Sequence, residues 1–334
     1  MSTLHKICND GASKSKDDGV CEVVDKLHNM RTSDDNKDCV ITNKCANCGK
    51  EGNSNDMNTC NRCKMVKYCN ATCKKKHRSK HKKKCDRRVA EMHDEALFKQ
   101  PPQLYGDCPI CFLRMPALVT GRRYKTCCGK VICSGCSYAT ANINLKKQLC
   151  AFCRIPAAKT DEESVGRLNK RVEAGDTEAI CTLAGLYDQG ILGLRQNYTK
   201  ALDLLHQAGE LGHASAYHNI GCAYHHGDGV EVDERKAKHY YELAAMGGNE
   251  IARNNLGCME EDLDNMDKAK KHWMIAAKDG YTDSLTTIQK LHSSGEATKE
   301  EYAQALQSYQ EYLGEIKSDQ RDEAAAYDEE YKYY

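Results

Sequence analysis

The sequence predicts a mainly α-helical protein: a right-handed solenoid of repeated helix pairs, preceded by two small cysteine-rich modules, with disordered segments at both termini. Three observations predict it. Fifteen of the 21 cysteines fall between Cys45 and Cys153, most of them in pairs separated by two residues. Beyond Asp161 a motif of small and apolar residues recurs at offsets of 37 and 36 residues. Residues 1–44 are polar and rich in Asp, Lys and Ser with no sustained period, a composition that cannot bury enough apolar surface to order itself.

The length of 334 residues suggests two or three domains. No apolar run approaches the roughly 18–20 residues that a membrane helix needs, and the N-terminus lacks the apolar stretch of a secretory signal. The expectation is an intracellular protein, cytoplasmic or nuclear, in which thiols stay reduced. Paired cysteines in that setting point to zinc and away from disulfides, because one turn can present two thiolates to a metal. The net charge of +1 hides an asymmetry: residues 45–160 carry +17 and residues 161–334 carry −15. Four zinc ions on fifteen thiolates would lower the first figure to about +10.

In chain order, the N-terminal segment (1–44) carries a short helical pattern around Val20–Met30, and Cys8, Cys21 and Cys39 stand without ligand partners at useful spacing. The first finger (45–85) reads Cys45-x2-Cys48, Cys60-x2-Cys63, Cys69-x3-Cys73 and His81-x3-Cys85. Seven cysteines and a histidine make two tetrahedral sites filled entirely by protein. His77 competes with His81, but His81 stands one helical turn from Cys85, so those two side chains face the same way. Such a module folds because bound metal substitutes for a core too small to suffice. The basic run Lys74–Arg88 holds ten Lys/Arg. It reads as a solvated helix face beside the metal. No aromatic residue interleaves it to stack on bases, so nucleic acid is not the expected partner. A helical linker (86–104), with Val89, Met92, Ala96 and Leu97 at helical spacing, ends at Pro101-Pro102.

The ligand order of the first finger, with the Tyr68-Cys69 pair, resembles a MYND finger. The resemblance implies one zinc on Cys45, Cys48, Cys69 and Cys73 and another on Cys60, Cys63, His81 and Cys85. MYND fingers that bind proline-rich peptides carry Gln after the ligand corresponding to Cys73 and Trp after His77. Here those positions are Lys74 and Arg78, which removes the apolar wall for such a peptide.

The second finger (105–157) opens with Cys108-Pro109-Ile110-Cys111 and continues with Cys127, Cys128, Cys133-x2-Cys136 and Cys150-x2-Cys153. It resembles an all-cysteine RING finger. That implies zinc on Cys108, Cys111, Cys133 and Cys136, and a second zinc on Cys127, Cys128, Cys150 and Cys153. RING fingers commonly place a histidine two residues after the third cysteine. Counting from Cys128 that position is Lys130, so either Cys127 and Cys128 both bind, as the count of eight cysteines favours, or one zinc is less well held. With every position closed by protein, all four zincs are structural, and no clustered thiolate is left for catalysis. A RING docks a ubiquitin-conjugating enzyme and accelerates transfer by orientation. The partner contacts implied are Ile110 between the first two cysteines, Arg154 after the last, and Pro156, which shapes the second zinc loop. No tryptophan lies between Cys136 and Cys150, where many active RINGs have one; Tyr138 or Ile143 would have to replace it.

The repeats (161–317) align Leu183-Ala184-Gly185-Leu186-Tyr187 with Ile220-Gly221-Cys222-Ala223-Tyr224 and Leu256-Gly257-Cys258-Met259-Glu260. Each unit continues through a Lys-Ala pair (Lys200-Ala201, Lys236-Ala237, Lys268-Ala269) to an alanine-rich helix end and a glycine. Small residues on a first helix allow close packing, a Gly-rich turn reverses the chain, and the second helix stops at a glycine. The third unit is shorter by about four residues at its turn, and a weaker fourth runs from Asp283 to about Leu313. The stretch Tyr224-His225-His226-Gly227-Asp228-Gly229-Val230, then Asp233 and Lys236-Ala237, resembles the Sel-1-like repeat family, relatives of the tetratricopeptide repeats. Solenoids of that kind bind client proteins on a concave face. Cys181, Cys222 and Cys258 read as small packing residues, and His225-His226 as solvent-facing. The acidic, Tyr-rich tail (318–334) reads as frayed or disordered. From Glu95 onward the order of modules resembles RING-plus-Sel-1-like proteins of microbial eukaryotes.

Two functions are in view. One is a ubiquitin-ligase-like adaptor whose repeats recruit a client. The other is a zinc-stabilised scaffold without ligase activity. Nothing resembles the motifs of a SET-domain methyltransferase or a phosphate-binding Gly-rich loop.

Overall fold

The computed structural model describes residues 43–53, 56–143 and 149–334. The helix expected at Val20–Met30, and Cys8, Cys21 and Cys39, lie outside the described residues. The chain divides into two compact units, one ending at Lys99 and the other spanning Gln100–Tyr334.

In the first unit a two-residue ribbon pairs β1 (Asn58–Thr59) antiparallel with β2 (Lys67–Tyr68). Helix α1 (Ala71–Leu97) follows, its first turn capped by the Asn70 side chain, which accepts from the Cys73 N–H at 2.9 Å. Its buried side chains are His81, Cys85, Val89 and Leu97. The finger's last ligand segment and the first part of the expected linker are thus one continuous helix. No proline or glycine interrupts 71–97, and the four-residue spacing from Cys73 through Cys85 to Val89 keeps one face turned inward.

In the second unit β3 (Arg122–Lys125) pairs antiparallel with β4 (Lys130–Cys133), Arg122 opposite Cys133, and α2 (Ser134–Ile143) follows directly. The solenoid then runs α3 (Asp161–Glu173), α4 (Thr177–Gln189), α5 (Tyr198–Glu210), α6 (Ala214–His226), α7 (Glu234–Met246), α8 (Glu250–Asp262), α9 (Met266–Lys278), α10 (Thr282–Ser294) and α11 (Lys299–Ile316). The helices pack in pairs: α4 on α5, α6 on α7, α8 on α9 and α10 on α11. The repeated Lys-Ala alanines are the core contacts of the second helices, with Ala201, Ala237 and Ala269 all buried. Gly221 and Gly257 lie under rings. A Cβ on Gly221 would come within 2.6 Å of Tyr241, and one on Gly257 within 2.4 Å of Trp273. The third turn loses its glycine: α8 reverses at Asp264, which adopts φ 59°. Aspartate is among the few residues that enter the left-handed region readily.

Two expectations are corrected, for the tail and for the histidine pair. The tail is not frayed: residues 319–327 form α12 (Asp319–Tyr327), packed on α2, and Tyr333 is fully buried. The second finger shares a compact unit with the repeats. Tyr124 donates to Asp176 at 2.8 Å, Arg171 donates to the Cys127 carbonyl at 3.1 Å, and Arg114 reaches Glu315 at 2.7 Å. Finally, of the histidine pair only His226 faces solvent; His225 is half-buried.

Candidate metal centres

Apart from Cys133-x2-Cys136, which runs from the end of β4 into α2, the four Cys-x2-Cys turns share one backbone device. In each, the residue after the second cysteine donates its N–H to the carbonyl of the first: Gly49 to Cys45 at 2.8 Å, Lys64 to Cys60 at 3.0 Å, Phe112 to Cys108 at 2.8 Å and Arg154 to Cys150 at 3.2 Å. All four donors have positive φ, 74°, 57°, 59° and 59°. Only the first is glycine, so three side-chain-bearing residues accept a strained conformation of about 1–2 kcal/mol each. The tight turn aims both sulfurs of a pair at one point, and a metal bound there would hold the strained backbone in place.

Each turn meets a second pair of donors, carried on a helix, on the end of a strand or on the β3–β4 hairpin turn. Cys45 and Cys48 meet Cys69 and Cys73; Cys60 and Cys63 meet His81 and Cys85, two successive-turn residues of α1. Cys108 and Cys111 meet Cys133 and Cys136; Cys127 and Cys128 meet Cys150 and Cys153. In every group the ligand atoms lie within 4.8 Å of one another. Sulfurs on a tetrahedral zinc stand about 3.8 Å apart, from a Zn–S bond of about 2.3 Å. The separations match that edge: Cys48–Cys69 3.7 Å, Cys60–Cys85 3.8 Å, Cys111–Cys133 3.8 Å and Cys128–Cys150 3.7 Å. Cys63 Sγ to His81 Nε2 is 3.3 Å, the shorter edge expected when one ligand is nitrogen.

Thiols packed this tightly need a cation to ionise together. Hydrogen bonds with Cys133 and Cys136 hold Cys108 far below the usual thiol range, while hydrogen bonds with Cys108 and then Cys133 push Cys136 far above it. Burial also pushes His81 down, favouring the neutral imidazole that a metal requires. The four clusters therefore suit zinc in number, donor type and spacing.

His77 is near but differently engaged. Its Nδ1 is 3.2 Å from the Tyr68 hydroxyl, and its ring stacks on His81 at 5.7 Å. Lys130, the departure from the RING pattern, is exposed, and Cys127 and Cys128 both join the cluster. Among the described residues Cys181, Cys222 and Cys258 join no such group. Cys222 instead lies 3.5 Å from His218 Nε2.

The three partner-contact candidates are all at the surface. Ile110 is 37% exposed, and Arg154 and Pro156 are exposed, with the Pro156 carbonyl accepting from Arg167 at 2.7 Å. Sequence reasoning missed their neighbours. Phe112 is 77% exposed, and Phe152 and Ile155 are also open to water. The signal was available: each lies within or just beyond a Cys-x2-Cys turn, where a side chain has no core to enter. Tyr138 is ringed at 5.1 Å by Tyr327 and at 5.6 Å by Tyr331; nothing is described of the Ile143 side chain.

Residues 45–85 match the MYND finger family model, and residues 177–213 and 214–249 each match the Sel1 repeat model. No curated protein matches the chain. Among solved structures, a Sel1 repeat protein from Oxalobacter formigenes is 23% identical over 57% of this chain and 74% of its own, with a TM-score of 0.41. The protective antigen c5321 of uropathogenic Escherichia coli, which displays the same repeat fold, is 22% identical over 57% of this chain and 39% of its own, TM-score 0.41. The immunity protein Pa5087 of Pseudomonas aeruginosa is 22% identical over 58% and 68%, TM-score 0.36. This is a zinc-finger and Sel1-repeat protein, an arrangement suited to protein interaction. No helix among the described residues is long and apolar enough to cross a membrane.

Proposed function

We propose that this protein is a zinc-stabilised adaptor, with the sixteen clustered cysteine and histidine residues as ligands of four zinc ions. In this reading the repeats hold a client protein. The second finger presents a docking surface for a ubiquitin-conjugating enzyme and promotes transfer to the client by orientation. The observation that carries the reading is the set of large apolar side chains left in water on rigid metal turns: Ile110, Phe112, Phe152 and Ile155. Such residues are depleted from ordinary surfaces and enriched where partners bind. Arg154, exposed beside them in sequence, would supply the polar contact. In vitro ubiquitination with a broad panel of conjugating enzymes tests it. Chain formation that falls at least tenfold in Ile110→Ala and Arg154→Ala supports the reading. No product with any enzyme refutes the ligase component.

A scaffold without ligase activity is the second reading. It is favoured by Tyr138, one of the two residues that could replace the missing tryptophan, because the chain's own Tyr327 and Tyr331 pack against it. Capture of the same client by wild type and by Ile110→Ala, with no ubiquitin transfer, would select it.

A further inference from the structure

Arg321 is fully buried on α12, far in sequence from either finger. Its Nη1 donates to the carbonyls of Arg114 at 2.9 Å and Ile316 at 2.6 Å. Its Nη2 lies 3.5 Å from the Leu113 carbonyl and 3.7 Å from Cys111 Sγ. Among the described residues no carboxylate pairs with it. A guanidinium taken from water without a counter-charge costs several kcal/mol, so the compensating negative charge must be local. Cys108, Cys111, Cys133 and Cys136 supply it. Four thiolates around one divalent zinc carry a net double negative charge, and three of these cysteines are buried. Charge-assisted hydrogen bonds to metal-bound sulfur fix the ligand's orientation and keep it deprotonated.

The approach is built into both partners. Gly135, between two of the ligands, touches α12 so closely that a Cβ there would lie 3.0 Å from the Arg321 backbone nitrogen and 2.8 Å from its Cγ. The Gln320 amide oxygen lies 3.5 Å from Cys136 Sγ. Beyond α12, Tyr333 is fully buried and its hydroxyl bonds Asp322, while Arg123 donates to the Glu330 carbonyl and lies over the Tyr331 ring.

We infer that Arg321 is the counter-cation of the Cys108/Cys111/Cys133/Cys136 site, and that residues 318–334 act as a clasp by which the end of the chain controls metal retention at that site alone. Arg321 is a positioning residue: it touches a ligand, not the metal. The inference depends on the thiolates, not on any docking partner, so it stands or falls apart from the adaptor reading.

The test is zinc release from the full-length, zinc-loaded chain to a metallochromic chelator, counting equivalents and their rates, with helix content followed by circular dichroism. In Arg321→Met one of the four equivalents leaves about 10–100-fold faster, the range typical for loss of an outer-shell partner. The other three equivalents and the helix content stay as in wild type. Arg321→Lys, which keeps the charge but not the fork, restores part of the retention. Release of all four at wild-type rates overturns the inference, and so does equal acceleration of all four, which would mean general unfolding. If Arg321→Met loses its helix content, Gly135→Ala decides. It displaces α12 while leaving Arg321 intact; the same single labile equivalent is expected, and unchanged release overturns the proposal.

Discussion

Asp176 joins the second finger to the repeats, and replacing it with alanine removes two bonds at once. Its Oδ1 caps α4 by accepting from the Ala179 N–H at 3.2 Å, and its Oδ2 accepts from the Tyr124 hydroxyl at 2.8 Å. Loss of an N-cap costs about 1 kcal/mol. Loss of a hydrogen bond to a carboxylate costs about 1.5–3 kcal/mol, and the phenol left behind is half-buried. Burial and then Asp176 itself push the Tyr124 ionisation well up, so the phenol stays a donor across the usable pH range. The sum for Asp176→Ala is about 2.5–4 kcal/mol, which in a unit of this size lowers the melting midpoint by roughly 5–15 °C. Asp176→Asn keeps a cap and an acceptor and should lose less than half as much. The decisive assay is a double-mutant cycle with Tyr124→Phe in thermal or urea melts. A coupling of about 1–2 kcal/mol is expected for neighbours sharing one bond. Additivity within about 0.3 kcal/mol would refute the link between finger and solenoid.

Further outcomes follow from particular contacts. Gly257→Ala drives a methyl into Trp273, and overpacking of about 1–3 kcal/mol outweighs the helix gain of up to about 1 kcal/mol. Gly185→Ala, where nothing lies within 4 Å, should stabilise; equal effects of the two in melts would contradict the packing argument. Chelation should release four zinc equivalents yet leave the blue-shifted emission of Trp273, whose core cluster contains no finger residue; a shift to the emission of exposed tryptophan would show that the repeats need metal. Burial alone would lower His213, but Cys181 and Glu178, the latter at 2.9 Å, outweigh it and raise it to about 10. A raised pKa gives stability that is full below the unfolded value near 6.5 and lost as pH rises toward 10. Wild type should therefore lose its advantage over His213→Gln between those limits, by at most about 1.4 kcal/mol per pH unit. A constant difference across that window would show that the imidazole carries no such charge.

Much of the fold was legible because its determinants are local. A Cys-x2-Cys turn is a four-residue event, so spacing alone identifies the pairs, and the repeated alanines and glycines mark the faces on which helices meet. Ile110 came from the resemblance to a RING finger and not from spacing. Phe112, Phe152 and Ile155 were overlooked because an apolar residue beside a cysteine reads equally well as core or surface until the turn's direction is known. The continuity of α1 was missed because a ligand pattern was taken for a boundary. The helical period through Val89 and Leu97 had already joined the two segments.

What the sequence determined by itself was the cysteine pairs and the helix pairs, since each follows from the order of neighbours along the chain. What only the tertiary structure decided was which distant surfaces those elements cover. The tail's composition of Asp, Glu and Tyr reads as disorder because it offers few apolar residues. Yet Arg321, Ala324 and Tyr333 are fully buried against the second finger. Periodicity tells a helix which face to hide; only the partner it meets, here a cluster of thiolates some two hundred residues earlier, makes hiding a charge on that face favourable.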